Sequence, residues 1–115
     1  MKRILIVDDQ PVFRRQLRQL LTRAGMVVVA EAADIPEAAE MVQRFRPDLA
    51  VVDIMLPGIT GVEGVPQLKM LLGSLEIILV SAYRGFHRAA QEAGAKAFVC
   101  KGDLDLDTVR GWARD

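Results

Sequence analysis

Five short runs, apolar except for Glu76, recur along the chain, at residues 4–7, 26–30, 49–52, 76–80 and 97–100. Continuous runs of this length read as strands covered on both faces, as at the centre of a parallel sheet. Between them the apolar residues return every three or four positions. Phe13, Leu17, Leu20, Leu21 and Ala24 mark a first helix, with Pro11 in its first turn and Gly25 as its stop. Ile35, Ala38, Ala39, Val42 and Phe45 mark a second, with Pro36 and Glu37 in its first turn and Pro47 after it. Pro66 opens a third, with Leu68, Leu71 and Leu72 inward and Gly73 near its end. Residues 86–93 form a small Ala-rich fourth helix ended by Gly94. Leu106, Val109 and Trp112 form the buried stripe of a fifth, and Asp103, Asp105 and Asp107 favour its N-terminus by charge–dipole attraction. Five strands alternating with five helices predict a parallel sheet with right-handed crossovers and helices on both faces.

Composition narrows the class. At 115 residues the chain reads as one domain, 1–115, large enough for a core without staples. Lys+Arg and Asp+Glu are 15 each, so net charge gives no support to a nucleic-acid or membrane surface. A single cysteine, Cys100, excludes an internal disulfide and fits a reducing compartment. No apolar run approaches the ~18 residues of a membrane span, and the basic-then-apolar start is too short for a signal peptide. A cytoplasmic protein without a membrane partner is expected. Arg14, Arg15, Arg18 and Arg23 fall on the outer face of the first helix, where a solvated face outweighs a docking surface for an acidic partner.

The polar residues that matter stand where strands end. Leu49 to Val52 runs straight into Asp53, and Pro57 turns the chain. Strand 1 runs into Asp8-Asp9, strand 2 into Glu31, strand 4 into Ser81-Ala82 and strand 5 into Lys101. Ligands of open α/β sheets sit outside these carboxyl ends. With strand order 2-1-3-4-5, Asp8, Asp9 and Asp53 converge in one crevice. Three carboxylates so close repel one another, and a divalent cation is the usual remedy. All-oxygen ligation points to Mg²⁺. Lys101 adds a fixed positive charge and Ser81 a hydroxyl, a set that suits a phosphoryl group with Asp53 as nucleophile. The glycine-rich stretch 58–64 lacks a Gly-Lys-Ser/Thr and serves tight turns rather than a P-loop.

Over its whole length the sequence resembles the response regulator receiver domains of two-component signalling. The resemblance is carried by Asp8-Asp9, by Asp53-x-x-x-Pro57-x-x-x-Gly61, by Ser81-Ala82 and by Ala93-Gly94-Ala95-x-x-Phe98-x-x-Lys101. It implies a flavodoxin-like doubly wound (βα)5 fold with sheet order 2-1-3-4-5. It implies that Asp53 takes a phosphoryl group from a histidine kinase and that Mg²⁺ is held by Asp8, Asp9, Asp53 and the backbone carbonyl of Met55. It further implies that Lys101 and Ser81 contact the phosphoryl oxygens and that Ser81 and Phe98 act as switch residues. Such a module is not an independent enzyme. It catalyses only its own phosphoryl transfer and dephosphorylation, and switches the helix 4–strand 5–helix 5 face, where family members also dimerise. This domain itself would not touch nucleic acid, although a DNA-binding helix-turn-helix output domain is the type of continuation the resemblance suggests.

One departure stands out. Family members often carry Pro after the lysine, and here the residue is Gly102. A trans Lys101–Gly102 bond is expected, because a cis bond to a non-proline residue costs ~2.5–4 kcal/mol. The wide φ range of glycine would then turn the chain, and Asp103 or Asp105 would cap the last helix. Other residues have plainer readings: Phe98 as core aromatic, His87 as surface, Cys100 as small buried hydrophobe, Trp112 as packing. Competing functions fare less well. A flavodoxin-like cofactor site needs a Ser/Thr-rich loop where Asp8-Asp9-Gln10 stands. A metal-dependent phosphohydrolase needs an Asp-x-Asp pair and a cap. The remaining alternative is a receiver-like interaction module that works without phosphorylation.

Overall fold

Strands form where the apolar runs lie, because a segment apolar on both faces is stable only between two layers. The computed structural model describes residues 1–114. Its strands are β1 (Arg3–Val7), β2 (Val27–Ala32), β3 (Leu49–Asp53), β4 (Glu76–Ser81) and β5 (Ala97–Cys100). Its helices are α1 (Pro11–Arg23), α2 (Ile35–Phe45), α3 (Gly61–Leu71), α4 (His87–Ala93) and α5 (Leu106–Trp112), with a 3₁₀ turn at Lys101–Asp103. The sheet is parallel in order β2-β1-β3-β4-β5. The chain therefore adopts the flavodoxin-like doubly wound α/β fold. No helix among the described residues is long and apolar enough to cross a membrane.

Alternation along each strand divides the core in two. Leu5, Val7, Ala50, Val52, Ile77 and Leu79 pack with α2, α3 and α4 on one face. Ile4, Ile6, Leu49, Val51, Ile78 and Val80 pack with α1 and α5, through Leu17, Leu21, Val109 and Trp112, on the other. Each fully buried Leu or Ile contributes roughly 1.5–3 kcal/mol by leaving water. All five residues of β3 are buried, Asp53 included. The central strand thus carries its acid into the C-terminal edge of the sheet.

Several expectations need correction. β2 runs one residue later at its start and two later at its end than the apolar run, so Glu31 lies inside the strand rather than after it. β2 is an edge strand, and Val27 is accordingly exposed. α3 begins at Gly61, not Pro66. Thr60 and Glu63 form a capping box, each side chain taking the other's backbone N–H, which starts the helix five residues earlier. Pro66 lies within the helix and Leu71 is exposed. The Lys101–Gly102 bond is trans, as expected, and Asp105 caps α5 through the Thr108 N–H at 2.8 Å. Gly102, however, does not use positive φ. The 3₁₀ turn, closed by Leu104 N–H on the Lys101 carbonyl, reverses the chain instead.

The outer face of α1 is also less free than expected. Arg14 and Arg18 both donate to Glu31, whereas Arg15 and Arg23 are exposed. His87 is exposed, Cys100 buried and Trp112 buried among the α1–α5 layer, in line with their plain readings.

Candidate functional site

β1 and β3 are neighbours, so their C-terminal ends deliver acids to one place. One oxygen from each of Asp8, Asp9 and Asp53 lies within 4.8 Å of the others. Asp8 and Asp53 are 1% and 4% exposed, while Asp9 is exposed. Asp8 Oδ1 accepts the Gln10 N–H at 2.8 Å, and Asp53 Oδ1 accepts the Met55 N–H at 3.1 Å. These short turns aim both carboxylates across the gap between the strands.

Lys101, leaving β5, enters the same gap. Its Nζ donates to Asp53 Oδ2 at 3.2 Å and lies 2.8 Å from Asp8 Oδ2. The second contact is an ion pair without alignment, since no hydrogen bond is directed onto the buried Asp8 Oδ2. That oxygen keeps an open lone pair in a site of like charges, which fits a hard cation. Nζ also sits 3.5 Å from Gln10 Oε1 and 4.1 Å from the centre of the Phe13 ring. Burial raises the Asp53 carboxyl above its ordinary range, and the Asp8 charge adds to it. The Met55 N–H and Lys101 oppose the shift without cancelling it.

A cleft of about 250 Å³ opens over these groups, with Met55, Ala82 and Tyr83 on its rim. A larger depression of about 510 Å³ lies beside Lys2, Met26, Asp48 and Glu76, on the opposite edge of the sheet and away from the three acids. Gly61 shapes the floor of the site. Its N–H donates to the Ile54 carbonyl at 2.9 Å, and a Cβ there would overlap the Asp53 carbonyl oxygen and stand 2.8 Å from Ile54 Cα. Only glycine lets α3 start this close to the end of β3.

Asp8, Asp9, Asp53 and Lys101 are thus brought together as expected. Ser81 is fully buried, and its Oγ accepts the Tyr83 N–H at 3.1 Å instead of bonding Asp53 or Lys101. Phe98 is 7% exposed and packed against the rings of Phe86 and His87, at 5.9 and 4.9 Å between centroids. Gln10 and Phe13 were not anticipated as neighbours of Lys101. Their place in the first turn of α1, directly after the acid pair, was the available signal.

Residues 4–109 match the response regulator receiver domain. The chain belongs to that family. This receiver domain is 34% identical over 102 residues to the chemotaxis protein CheY of Thermotoga maritima, covering 87% of this chain and 85% of that one. A two-component response regulator of the LuxR family from Aurantimonas sp. superposes with a TM-score of 0.86 at 37% identity, over 93% of this chain and 78% of that one. The CheX-CheY-BeF3-Mg complex from Borrelia burgdorferi gives 0.88 at 27% identity, over 97% of this chain and 86% of the other. Other curated relatives, 28% to 36% identical, are longer, and the receiver domain spans about half of each. Receiver domains are signalling modules rather than independent enzymes.

Proposed function

We propose that Asp53 is the phosphoacceptor of this receiver domain. The observation that carries the reading is a single buried carboxylate at the end of the central strand, 3.2 Å from Lys101 and facing Asp8 and Asp9 across an open cleft. An Asp53 oxygen attacks the phosphorus of a phosphohistidine on a partner kinase. The new O–P bond forms as the P–N bond breaks, and the imidazole nitrogen leaves with the bonding pair. Lys101 Nζ is placed to meet the charge on the transferred oxygens.

Asp8, Asp9, Asp53 and the Met55 carbonyl would hold Mg²⁺, with Asp8 acting partly through water. The open lone pair of Asp8 Oδ2 supports that fit. Bound there, the ion would neutralise charge between carboxylates and phosphoryl group. The Ser81 hydroxyl, whose oxygen accepts the Tyr83 N–H, would turn toward the phosphoryl group. That movement, with Phe98 behind it, is the proposed route to the α4–β5–α5 face. The face would then control an output or a homodimer. A DNA-binding output domain in the full protein would agree with the 33% identity to the DNA-binding transcriptional activator EvgA of Escherichia coli.

The test is labelling by acetyl phosphate in Mg²⁺ near neutral pH. Asp53→Asn is expected to take up no label. Undiminished labelling of that variant overturns the assignment.

A further inference from the structure

We infer that Arg14 is a positioning residue for the acid pair, oriented in its turn by Glu31; this rests on the metal-holding role proposed for Asp8 and Asp9. The Arg14 guanidinium reaches two ways from the start of α1. Its Nε donates to Glu31 Oε1 at 2.9 Å, and its Nη1 donates to the backbone carbonyl of Asp8. The second Glu31 oxygen is taken by Arg18, through Nε at 2.8 Å and Nη2 at 2.6 Å. The Asp8 N–H donates to the Ala32 carbonyl at 2.9 Å. Residue 8 is therefore gripped on both sides of its backbone, by β2 and by Arg14.

That grip decides where Asp9 points. Asp8 has side-chain anchors of its own, the Gln10 N–H and Lys101. Asp9 is exposed and makes no side-chain hydrogen bond or ion pair among the described residues. Its direction follows from the peptide that joins it to Asp8, whose carbonyl Arg14 holds. A guanidinium bond to a carbonyl is charge-assisted, and the planar fork holds donors on two separate nitrogens, here Nε and Nη1, in fixed directions, whereas an ammonium is a point charge with its donors on one atom. Arg14 is also the better covered of the two arginines, with its side chain 21% exposed against 46% for Arg18. Its bonds are correspondingly less screened. Stability alone would need only the Glu31 pairs. The contact with Asp8 ties the cluster to the site.

The test titrates the parent chain and four variants with Mg²⁺ by calorimetry, beside their unfolding midpoints in EDTA. Arg14→Met is expected to weaken Mg²⁺ binding about tenfold or more, the usual effect of losing a group that orients a metal ligand, while Arg18→Met stays within about twofold. Arg14→Lys recovers part of the loss, because its ammonium keeps the charge but not the rigid two-nitrogen fork that fixes the Asp8 carbonyl relative to Glu31. Glu31→Gln falls between Arg14→Met and the parent. Raising Mg²⁺ to saturation returns the acetyl phosphate labelling rate of Arg14→Met to near the parent rate, a split that general loosening of the fold would not give. Parent affinity in Arg14→Met overturns the inference, whatever its unfolding midpoint. Equal weakening in Arg18→Met does so too, since it would mark mere helix anchoring. If Arg14→Met does not fold, Arg14→Lys against Arg18→Met makes the same comparison. A parent chain that binds no Mg²⁺ overturns both this and the metal reading, whereas an unaffected Arg14→Met overturns this one alone.

Discussion

Lys101 and Asp8 approach to 2.8 Å, Nζ to Oδ2, yet no hydrogen bond is directed onto that oxygen. The ammonium instead donates to Asp53 at 3.2 Å, and its one positive charge is shared between the two buried acids. One lysine so serves as the counter-charge of the site, and two of the three negative charges remain uncompensated.

Removing that lysine should therefore be costly in the absence of metal. Lys101→Met strands two buried carboxylates, and losing one partner of a buried ion pair costs about 3–5 kcal/mol. The penalty should lie toward the low end, because the cleft admits water. Chemical denaturation in EDTA measures it, and added Mg²⁺ should recover more stability in the variant than in the parent. A variant as stable as the parent in EDTA would deny Lys101 this role.

Asp53 sets a pH dependence. Burial and the Asp8 charge raise its carboxyl above the ordinary 3.8. The folded chain then holds this proton more tightly than the unfolded chain, so ionisation costs stability. Stability contributed by the protonated form should fall as pH rises from 3.8 through the raised value and then level off. In Asp53→Asn that fall is absent, so its advantage over the parent in metal-free buffer should grow across the window. Urea midpoints of both proteins, taken in EDTA from about pH 4 to about pH 8, decide the matter. A constant difference would show that the charge of Asp53 carries no such cost.

Tyr83 stands on the rim of the cleft, 64% exposed, two residues after Ser81. Met55 lines the same cleft, and neither side chain offers an acid or amide to orient water. Phosphate on Asp53 should accordingly be lost slowly, with the Tyr83 ring obstructing in-line attack. Tyr83→Ala should release phosphate faster, as read by decay of the label after the donor is removed. Equal or slower decay would rule out shielding.

Gly61 is required by contact rather than by φ. Its added Cβ would meet the Asp53 carbonyl oxygen and Ile54 Cα, both backbone atoms that cannot rotate away. Gly61→Ala should cost about 1–3 kcal/mol, the usual range for overpacking. Because the displaced atoms belong to the acid-bearing strand end, Mg²⁺ affinity should fall with it. Thermal scans with and without Mg²⁺ measure both effects, and an unchanged midpoint would contradict the packing seen here.

Much of the fold was legible from residue type and spacing. Unbroken apolar runs at Leu49 to Val52 and Ile77 to Val80 have no stable place except between two helical layers, and alternation with helical stripes leaves few topologies. The acids Asp8, Asp9 and Asp53 were legible as a cluster for the same reason, since parallel strands put all their C-terminal ends on one edge. Local chemistry also narrowed the cap of α5 to Asp103 or Asp105, and Asp105 fills the place.

Tertiary structure decided what depends on directions rather than positions. Arg14 and Glu31 are 17 positions apart in the chain, and a run of arginines on a helix looks the same whether it meets water or a carboxylate on the next strand. The start of α3 turned on the Thr60–Glu63 box outweighing the breaking tendency of Gly61, Gly64 and Pro66. The Ser81 hydroxyl, with one rotatable bond, was free to face Asp53 or its own loop, and the Tyr83 N–H claimed it. Spacing along the chain determines which face a side chain occupies. Which partner it meets there is decided only when the layers pack, because a hydrogen bond or ion pair is lost over distances smaller than the width of one side chain.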